Sequence, residues 1–252
     1  MIVLRILVNA LIMAGEIAAV AGVAVLGYHH PVLFAGLTAA LTFVLGLRLE
    51  VARLRYELPF YFGALVTPGV LLTGLVGFSE AVLKAVLAGI AALFTFSGTD
   101  ADRLYWVAIV FGICIYAGAS LLRVLSIRAN GLPMRWGYFR LAPLLGLTFS
   151  AGLALLAATH MLPPASVGDL GWKIIFEMPP QPSIAEASEL LFQIKQAFDD
   201  FIVTVLGTML DERVARLVAI VISVNVLSGF VSALYAALIA TGVRRSEETL
   251  LP

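Results

Sequence analysis

Charged residues and cysteine are scarce in this sequence. Charged side chains make up 13% of its 252 residues, whereas soluble domains carry about 25%. Hydrophobic residues reach 61% and the mean hydropathy is +1.02, so polar residues are too few to cover a water-facing surface. We therefore predict an all-α integral membrane protein that has lipid as its surrounding solvent. The apolar excess runs along the whole chain, which predicts one membrane domain over residues 1–252.

The lack of net charge and of catalytic motifs excludes several classes of function. The sequence contains 16 basic residues (Lys and Arg) and 16 acidic residues (Asp and Glu). There is therefore no basic field to attract the phosphates of nucleic acids. Cys114 is the single cysteine and cannot form a disulfide within the chain, and no Cys/His spacing typical of zinc sites occurs. Dinucleotide-binding, P-loop, HExxH and GxSxG motifs are lacking. We therefore expect no enzymatic activity and no cofactor.

The N-terminal stretch has the outline of a secretory signal peptide, because Arg5 precedes a long apolar run. Two features argue against cleavage. Glu16 interrupts the run, and the run continues to Tyr28, which makes it longer than the apolar core of a typical signal peptide. We interpret this stretch as the first membrane span.

Seven apolar segments are candidates for membrane spans, each of which needs roughly 20 apolar residues. The segments are 6–28, 31–47, 59–78, 81–96, 104–122, 141–162 and 217–243. Two of them, 31–47 and 81–96, are short, and the second also contains Lys84.

Arginine positions decide between six and seven crossings, because Lys and Arg in short loops favour the cytoplasmic side. With seven crossings, the cluster around Arg53 and the cluster around Arg135 would lie on opposite sides. If segment 81–96 does not cross, both clusters join Arg5 and the C-terminal pair on one side. We therefore predict six crossings with both termini cytoplasmic, and a segment 81–96 that is re-entrant or lies in the outer interface. Seven full spans are the alternative. The clustered arginines are Arg48, Arg53, Arg55, Arg123, Arg128, Arg135, Arg140, Arg244 and Arg245.

Residues 162–212 form the largest predicted external part. A Pro-rich stretch up to residue 182 prevents a continuous helix, and Ser183 and Glu186 then have the spacing of a capping box. From residue 184 onward, apolar residues recur at helical period opposite an acidic face. Helices that lie on membranes usually carry Lys and Arg on their polar face. We therefore predict that this amphipathic helix packs on the protein's own outer face or on a partner, rather than in lipid headgroups.

Glu16, Lys84 and Asn225 are polar residues within apolar segments. Each is a candidate for an ion or proton site, because a charge in hydrocarbon is costly and such residues are usually functional. The alternative is helix packing, in which Glu16 is protonated or pairs with Lys84 or Asn225. Pro68 and Gly69 lie midway through segment 59–78 and predict a helix kink.

Small residues at four-residue spacing follow Asn225 in the last segment. Ser228, Ser232 and Ala236 form one stripe on a helix, and such a stripe allows the backbone of a neighbouring helix to approach closely. Packing explains this stripe better than ligand binding does.

The three histidines are His29, His30 and His160. The predicted topology places all of them at the external membrane boundary. Two helices that offer histidine at one level could hold a haem or a metal ion, whereas the simpler interpretation is that they are interfacial histidines.

Three classes of function remain after these exclusions. The first is a non-catalytic subunit of a larger membrane complex, whether with other subunits or as a homo-oligomer. The second is an ion channel, or a small-solute or proton-coupled transporter, which Glu16 and the Pro68–Gly69 kink would favour. The third is a haem- or metal-binding membrane subunit. We expect a bacterial inner membrane, because no organellar targeting signal is recognisable.

Overall fold

The computed structural model describes residues 2–62, 69–98, 100–158 and 183–250, and every regular element in these ranges is helical. The all-α prediction is thereby confirmed. The elements in chain order are α1 (Ile2–His29), α2 (Pro31–Phe62), α3 (Val70–Thr95), α4 (Ala101–Ala129), α5 (Pro133–Trp136), a π-helical turn (Gly137–Leu141), α6 (Ala142–Ala158), α7 (Ile184–Met209), α8 (Glu212–Ile222), a 3-10 turn (Val224–Leu227) and α9 (Ser228–Leu250).

Within the described ranges, six stretches are long and apolar enough to cross a bilayer, which confirms a multi-pass membrane protein with six spans. At about 1.5 Å per residue, each stretch exceeds the ~30 Å thickness of the hydrocarbon layer. The spans are Arg5–His29, Pro31–Glu57, Val70–Thr95, Ala101–Ala129, Pro133–Leu156 and Val224–Leu250.

The two sides of the bundle differ in composition. The clustered arginines lie in the second half of α2, in the last turns of α4 and α9, and in α5 and the π-helical turn, and we call this end of the bundle the arginine side. At the opposite end, helix α7 contacts the end of α3 and the start of the last span. We call that end the α7 side.

The structure corrects the predicted division of residues 59–96. Segment 81–96 is not a separate re-entrant or interfacial piece, because residues 70–95 form one continuous helix that is long enough to cross. The expected break at Ser79 and Glu80 is helical instead. Both charges that suggested an interruption are paired with α2, Glu80 with Arg53 and Lys84 with Glu50, so the helix continues through them. The total of six spans is unchanged, because residues 59–62 complete α2.

The last predicted segment, 217–243, is also divided differently. Helix α8 ends at Ile222, and Ser223 adopts an extended conformation with φ −50° and ψ 141°. The final span begins only after this break, at Val224. Asn225 therefore lies at the start of the span and not near its middle.

The final span is the central element of the bundle. In the most apolar part of this span 61% of the residues are buried, whereas the buried share is 22% in the corresponding parts of the first and third spans. The small-residue stripe faces this interior, since Ser228, Ser232 and Ala236 are at most 1% exposed. Gly229 provides the closest approach: a Cβ atom there would lie 2.1 Å from the carbonyl oxygen of Ala142 in α6.

An aromatic cluster fills the bundle interior toward the α7 side. Its five rings belong to α2, the residue after α3, α4, α6 and α9, and each residue is at most 6% exposed. Neighbouring ring centroids lie 5.2 to 6.3 Å apart, mostly edge to face, which is the preferred geometry of aromatic pairs. The members are Phe34, Phe96, Phe111, Phe149 and Tyr235.

Candidate functional site

Glu16 lies in an ion cluster that joins α1, α4 and α9. The residue is 5% exposed, and its Oε2 atom is 3.8 Å from a guanidinium nitrogen of Arg123. Arg123 also donates a hydrogen bond to Glu247 of α9. Glu16 lies about 20 Å along α1 from its end at His29, so this cluster is near the bundle centre and displaced slightly toward the arginine side.

Lys84 pairs with Glu50, which sequence reasoning did not single out. Glu50 is fully buried, and one of its carboxylate oxygens accepts a hydrogen bond from Lys84 of α3. Its other oxygen is 3.1 Å from Arg53, an ion pair without hydrogen-bond alignment. Arg53 also contacts Glu80 at 2.7 Å and Glu57 at 3.1 Å. These contacts connect α2 and α3 side by side near the arginine side.

The π-helical turn brings two aromatic rings against the same cations. The Nζ atom of Lys84 lies 5.3 Å from the ring centroid of Tyr138 and 5.2 Å from that of Phe139. The guanidinium carbon of Arg53 lies 5.4 Å from the Phe139 ring. Such cation–π contacts stabilise partly desolvated cations. The turn therefore connects α5 and α6 to the α2–α3 pair through the charge cluster.

Asn225 belongs to a third cluster, on the α7 side, where Asp199 of α7 caps the start of the last span. The Asp199 carboxylate accepts hydrogen bonds from the Ser223 hydroxyl at 3.0 Å, the Val224 backbone N–H at 3.1 Å and the Asn225 amide at 3.3 Å. An acidic side chain at a helix N-terminus is favoured by the helix dipole. Burial raises the pKa of Asp199, and these hydrogen bonds act against the rise.

Lys195 of α7 caps the C-terminal end of α3. The residue is 5% exposed, and its Nζ atom donates a hydrogen bond of 3.1 Å to the carbonyl oxygen of Phe94. Helix ends leave such carbonyls without intrahelical partners, and a cation there is favoured by the dipole. Burial, with a smaller contribution from nearby Arg103, lowers the pKa of Lys195 to about 7. One helix outside the spans thus caps two span ends with side chains four residues apart.

The remaining predicted residues do not form a site in the described part of the chain. His29 and His30 meet at the junction of α1 and α2, with ring centroids 6.4 Å apart. His160 and Pro68 lie outside the described residues, and Gly69 directly precedes α3. Among the residues that are described, no group of three or more His, Cys, Asp or Glu could hold a metal ion.

Sequence reasoning did not single out Glu50, Lys195 or Asp199, and it used Arg123 only to orient the chain. Each of the four has a partner on another helix, which the linear pattern does not show. A usable signal existed for the α2–α3 cluster, because charges at 50, 53 and 57 and at 80 and 84 repeat at helical spacing. The distance in sequence between Asp199 and Ser223 hides their contact.

Large apolar side chains are exposed beyond the Glu50 cluster, where α2 ends and α3 begins. We call this group the hairpin tip, and its members are between 72% and 88% exposed. Phe60 lies about 15 Å further along α2 than Glu50, away from the bundle interior. The members of the hairpin tip are Tyr56, Phe60, Tyr61, Val70 and Leu71.

The three clusters hold helices together, and none of them includes a residue of the hairpin tip. The Glu16 cluster joins α1, α4 and α9, the Glu50 cluster joins α2, α3 and the π-helical turn, and α7 caps two span ends. No known protein family, characterised protein or solved structure matches this chain.

Proposed function

We propose that this chain is a non-catalytic subunit of a larger membrane complex, and that the hairpin tip is its contact with a partner. The observation that carries the proposal is the exposure of five large apolar side chains where α2 ends and α3 begins, two of which, Phe60 and Tyr61, lie outside the membrane spans. Extended apolar patches on a protein surface mark interaction sites, because water solvates them poorly. The proposal includes no catalytic activity and no cofactor.

The position of the hairpin tip along α2 separates it from the lipid-facing surface. From Pro31 to Glu50, helix α2 covers about 29 Å, which is close to the ~30 Å thickness of the hydrocarbon layer. The exposed Arg48 and Arg140 lie on the same side as the buried Glu50 cluster. Phe60 and Tyr61 follow the end of the second span at Glu57 and therefore extend past the level at which charged side chains reach water. In this proposal a partner, and not lipid tails, covers Phe60 and Tyr61.

The arginine side is the cytoplasmic side in this proposal. The clustered arginines favour that orientation through the positive-inside rule, and both termini then lie in the cytoplasm of a bacterial inner-membrane protein. The partner would contact the hairpin tip at or just beyond the cytoplasmic leaflet. The first turns of α1 add exposed apolar side chains on the same side, among them Val3, Ile6 and Leu7.

A channel or transporter is the second candidate, favoured by the burial of Glu16 and Glu50 in the spans. Two observations make a channel or transporter less favoured than a subunit of a membrane complex. Both carboxylates are already paired with Arg123 and Lys84, and a polar pathway would have to pass the aromatic cluster. If the second candidate is correct, the purified chain conducts in liposomes and Glu16→Gln alters the flux.

Gentle extraction of native membranes followed by native mass spectrometry tests the first candidate. We expect the chain to appear with a partner of different mass or with further copies of itself. The double variant Phe60→Ala, Tyr61→Ala should lose that partner while remaining in the membrane. The matched control is Leu33→Ala, Leu37→Ala, which removes exposed apolar area from the opposite end of the same helix. A lone chain in the parent sample, or equal loss in both variants, would contradict the proposal.

A further inference from the structure

Helix α7 has one face that is fixed to the bundle. Ser188 accepts a hydrogen bond from the Gly98 backbone N–H at 3.1 Å, and Arg103 of α4 lies over the Phe192 ring at 3.6 Å from its centroid. Lys195 and Asp199 continue the same row with their caps on α3 and the last span. These four positions follow each other at steps of four, three and four residues, which is one stripe of an α-helix.

A second stripe on α7 is apolar and exposed. Ile194, Phe198, Phe201 and Val205 repeat the same steps of four, three and four residues and are between 38% and 66% exposed. At about 100° per residue, this apolar stripe lies roughly 120° around the helix axis from the bundle-facing stripe. The amphipathic pattern expected from the sequence is therefore present, but its apolar face is not the face that contacts the bundle.

The third face of α7 is polar. It lies roughly 110–140° from each of the other two faces, so the circumference of the helix is divided between bundle, apolar stripe and polar residues. No lysine or arginine occurs on it. Its members are Glu186, Glu189, Gln193, Asp200 and Thr204.

The depth of α7 follows from what it caps. Lys195 binds a carbonyl in the last turn of α3, and Asp199 binds the first residues of the last span. Both ends belong to helices that are long and apolar enough to cross the bilayer, so we expect α7 at the level where hydrocarbon gives way to headgroups. A helix at that level, held to the bundle on one side, would have lipid below it and water above it.

We propose that α7 is an interfacial helix whose apolar stripe is inserted into the headgroup–acyl boundary of the leaflet on the α7 side. The occupant of the stripe is lipid of no net charge, because the polar face is acidic and offers no cation to anionic headgroups. The missing Lys and Arg residues have a physical explanation here. Lys195 and Asp199 attach the helix to two span ends, so it does not depend on headgroup electrostatics to stay at the surface.

Spin labels on the full chain in zwitterionic nanodiscs test this placement. In a Cys114→Ala background, single cysteines replace the four stripe residues and, as matched controls, Glu186, Gln193 and Thr204. Accessibility to oxygen, which partitions into lipid, is compared with accessibility to a water-soluble nickel chelate. We expect the oxygen-to-nickel ratio to shift upward at all four stripe positions and not at the three controls. Thermal unfolding of each labelled variant, unchanged from the parent, shows that the label has not displaced the helix.

Three results would overturn the placement of α7. Equal ratios at stripe and control positions would mean that the stripe is in water. Stripe positions shielded from both reagents would mean that protein, not lipid, covers them. A shift that appears only after anionic lipid is added would mean that headgroup charge, and not the attachment to the bundle, holds the helix.

Discussion

Replacing Lys84 with methionine leaves Glu50 as a buried carboxylate with reduced compensation. Glu50 is fully buried, whereas Lys84 retains 30% side-chain exposure, so the carboxylate has the larger desolvation penalty. Breaking a buried ion pair by removing one partner costs about 3–5 kcal/mol. We expect a loss of ~3 kcal/mol, at the low end of that range, because Arg53 remains 3.1 Å from Glu50. A change of 1 kcal/mol shifts Tm by about 2–4 °C in a chain of this size, so the expected fall is about 6–12 °C.

Tryptophan fluorescence during heating in mild detergent measures this loss. The double variant Glu50→Gln, Lys84→Met should unfold at a higher temperature than Lys84→Met alone, because it no longer buries an uncompensated carboxylate. Arg48→Met is the matched control, since Arg48 is an exposed cation on the same helix as Glu50. If Lys84→Met and Arg48→Met unfold at the same temperature, the Glu50–Lys84 pair does not stabilise the α2–α3 contact. The same conclusion follows if the double variant loses more stability than the sum of the losses of the two single variants.

Three further predictions concern the α7 side and the helix contacts. Lys195 has a pKa of about 7 in the folded protein against an ordinary value of 10.5, so the unfolded chain binds more protons between these two pH values. The free energy of unfolding should therefore rise with pH in this range, by at most about 1.4 kcal/mol per pH unit. In unfolding titrations Lys195→Met should flatten this slope, and an unchanged slope would contradict the assignment. Asp199→Ala should remove the cap of the last span and increase hydrogen exchange at residues 223–227, with a stability loss of about 1–3 kcal/mol; unchanged exchange there would show that the cap is not needed. Gly229→Ala places its Cβ atom 2.1 Å from a carbonyl oxygen and should lower the free energy of unfolding by about 1–3 kcal/mol, measured by thermal unfolding. The control Gly22→Ala meets no atom within 4 Å and should be neutral or slightly stabilising. Equal effects of the two substitutions would mean that the close approach at Gly229 is not rigid.

The sequence predicted the features that depend on local pattern. Apolar runs indicated a multi-pass helical membrane protein, although the predicted total of six crossings depended on a division of residues 59–96 that was wrong. The Ser183–Glu186 spacing predicted a capping box that the structure contains. The Arg53–Glu57 ion pair at 3.1 Å likewise joins residues four positions apart on one helix. Each of these depends on neighbours within a turn or two of helix, so no tertiary information was needed.

Features that depend on distant partners could not be predicted in the same way. Segment 81–96 was predicted not to cross partly because it is short and contains Lys84, and a charge in an apolar run is costly when it is unpaired. The compensation for Lys84 comes from Glu50 in α2, which the linear pattern does not show. The break at Ser223 was missed for the same reason, because the carboxylate that caps it belongs to Asp199 on another helix. Glu16 was recognised as unusual, but its neighbour Arg123 is more than a hundred residues away in the sequence.

Site-specific photo-crosslinking from Tyr61 tests the proposed subunit role most directly. A photoreactive residue at this position, which is 72% exposed in the hairpin tip, would be irradiated in native membranes beside the same residue at Leu33. The account predicts a covalent adduct between chains from Tyr61 and lipid adducts alone from Leu33. Lipid adducts alone from both positions would show that the hairpin tip lies in the bilayer and has no protein partner.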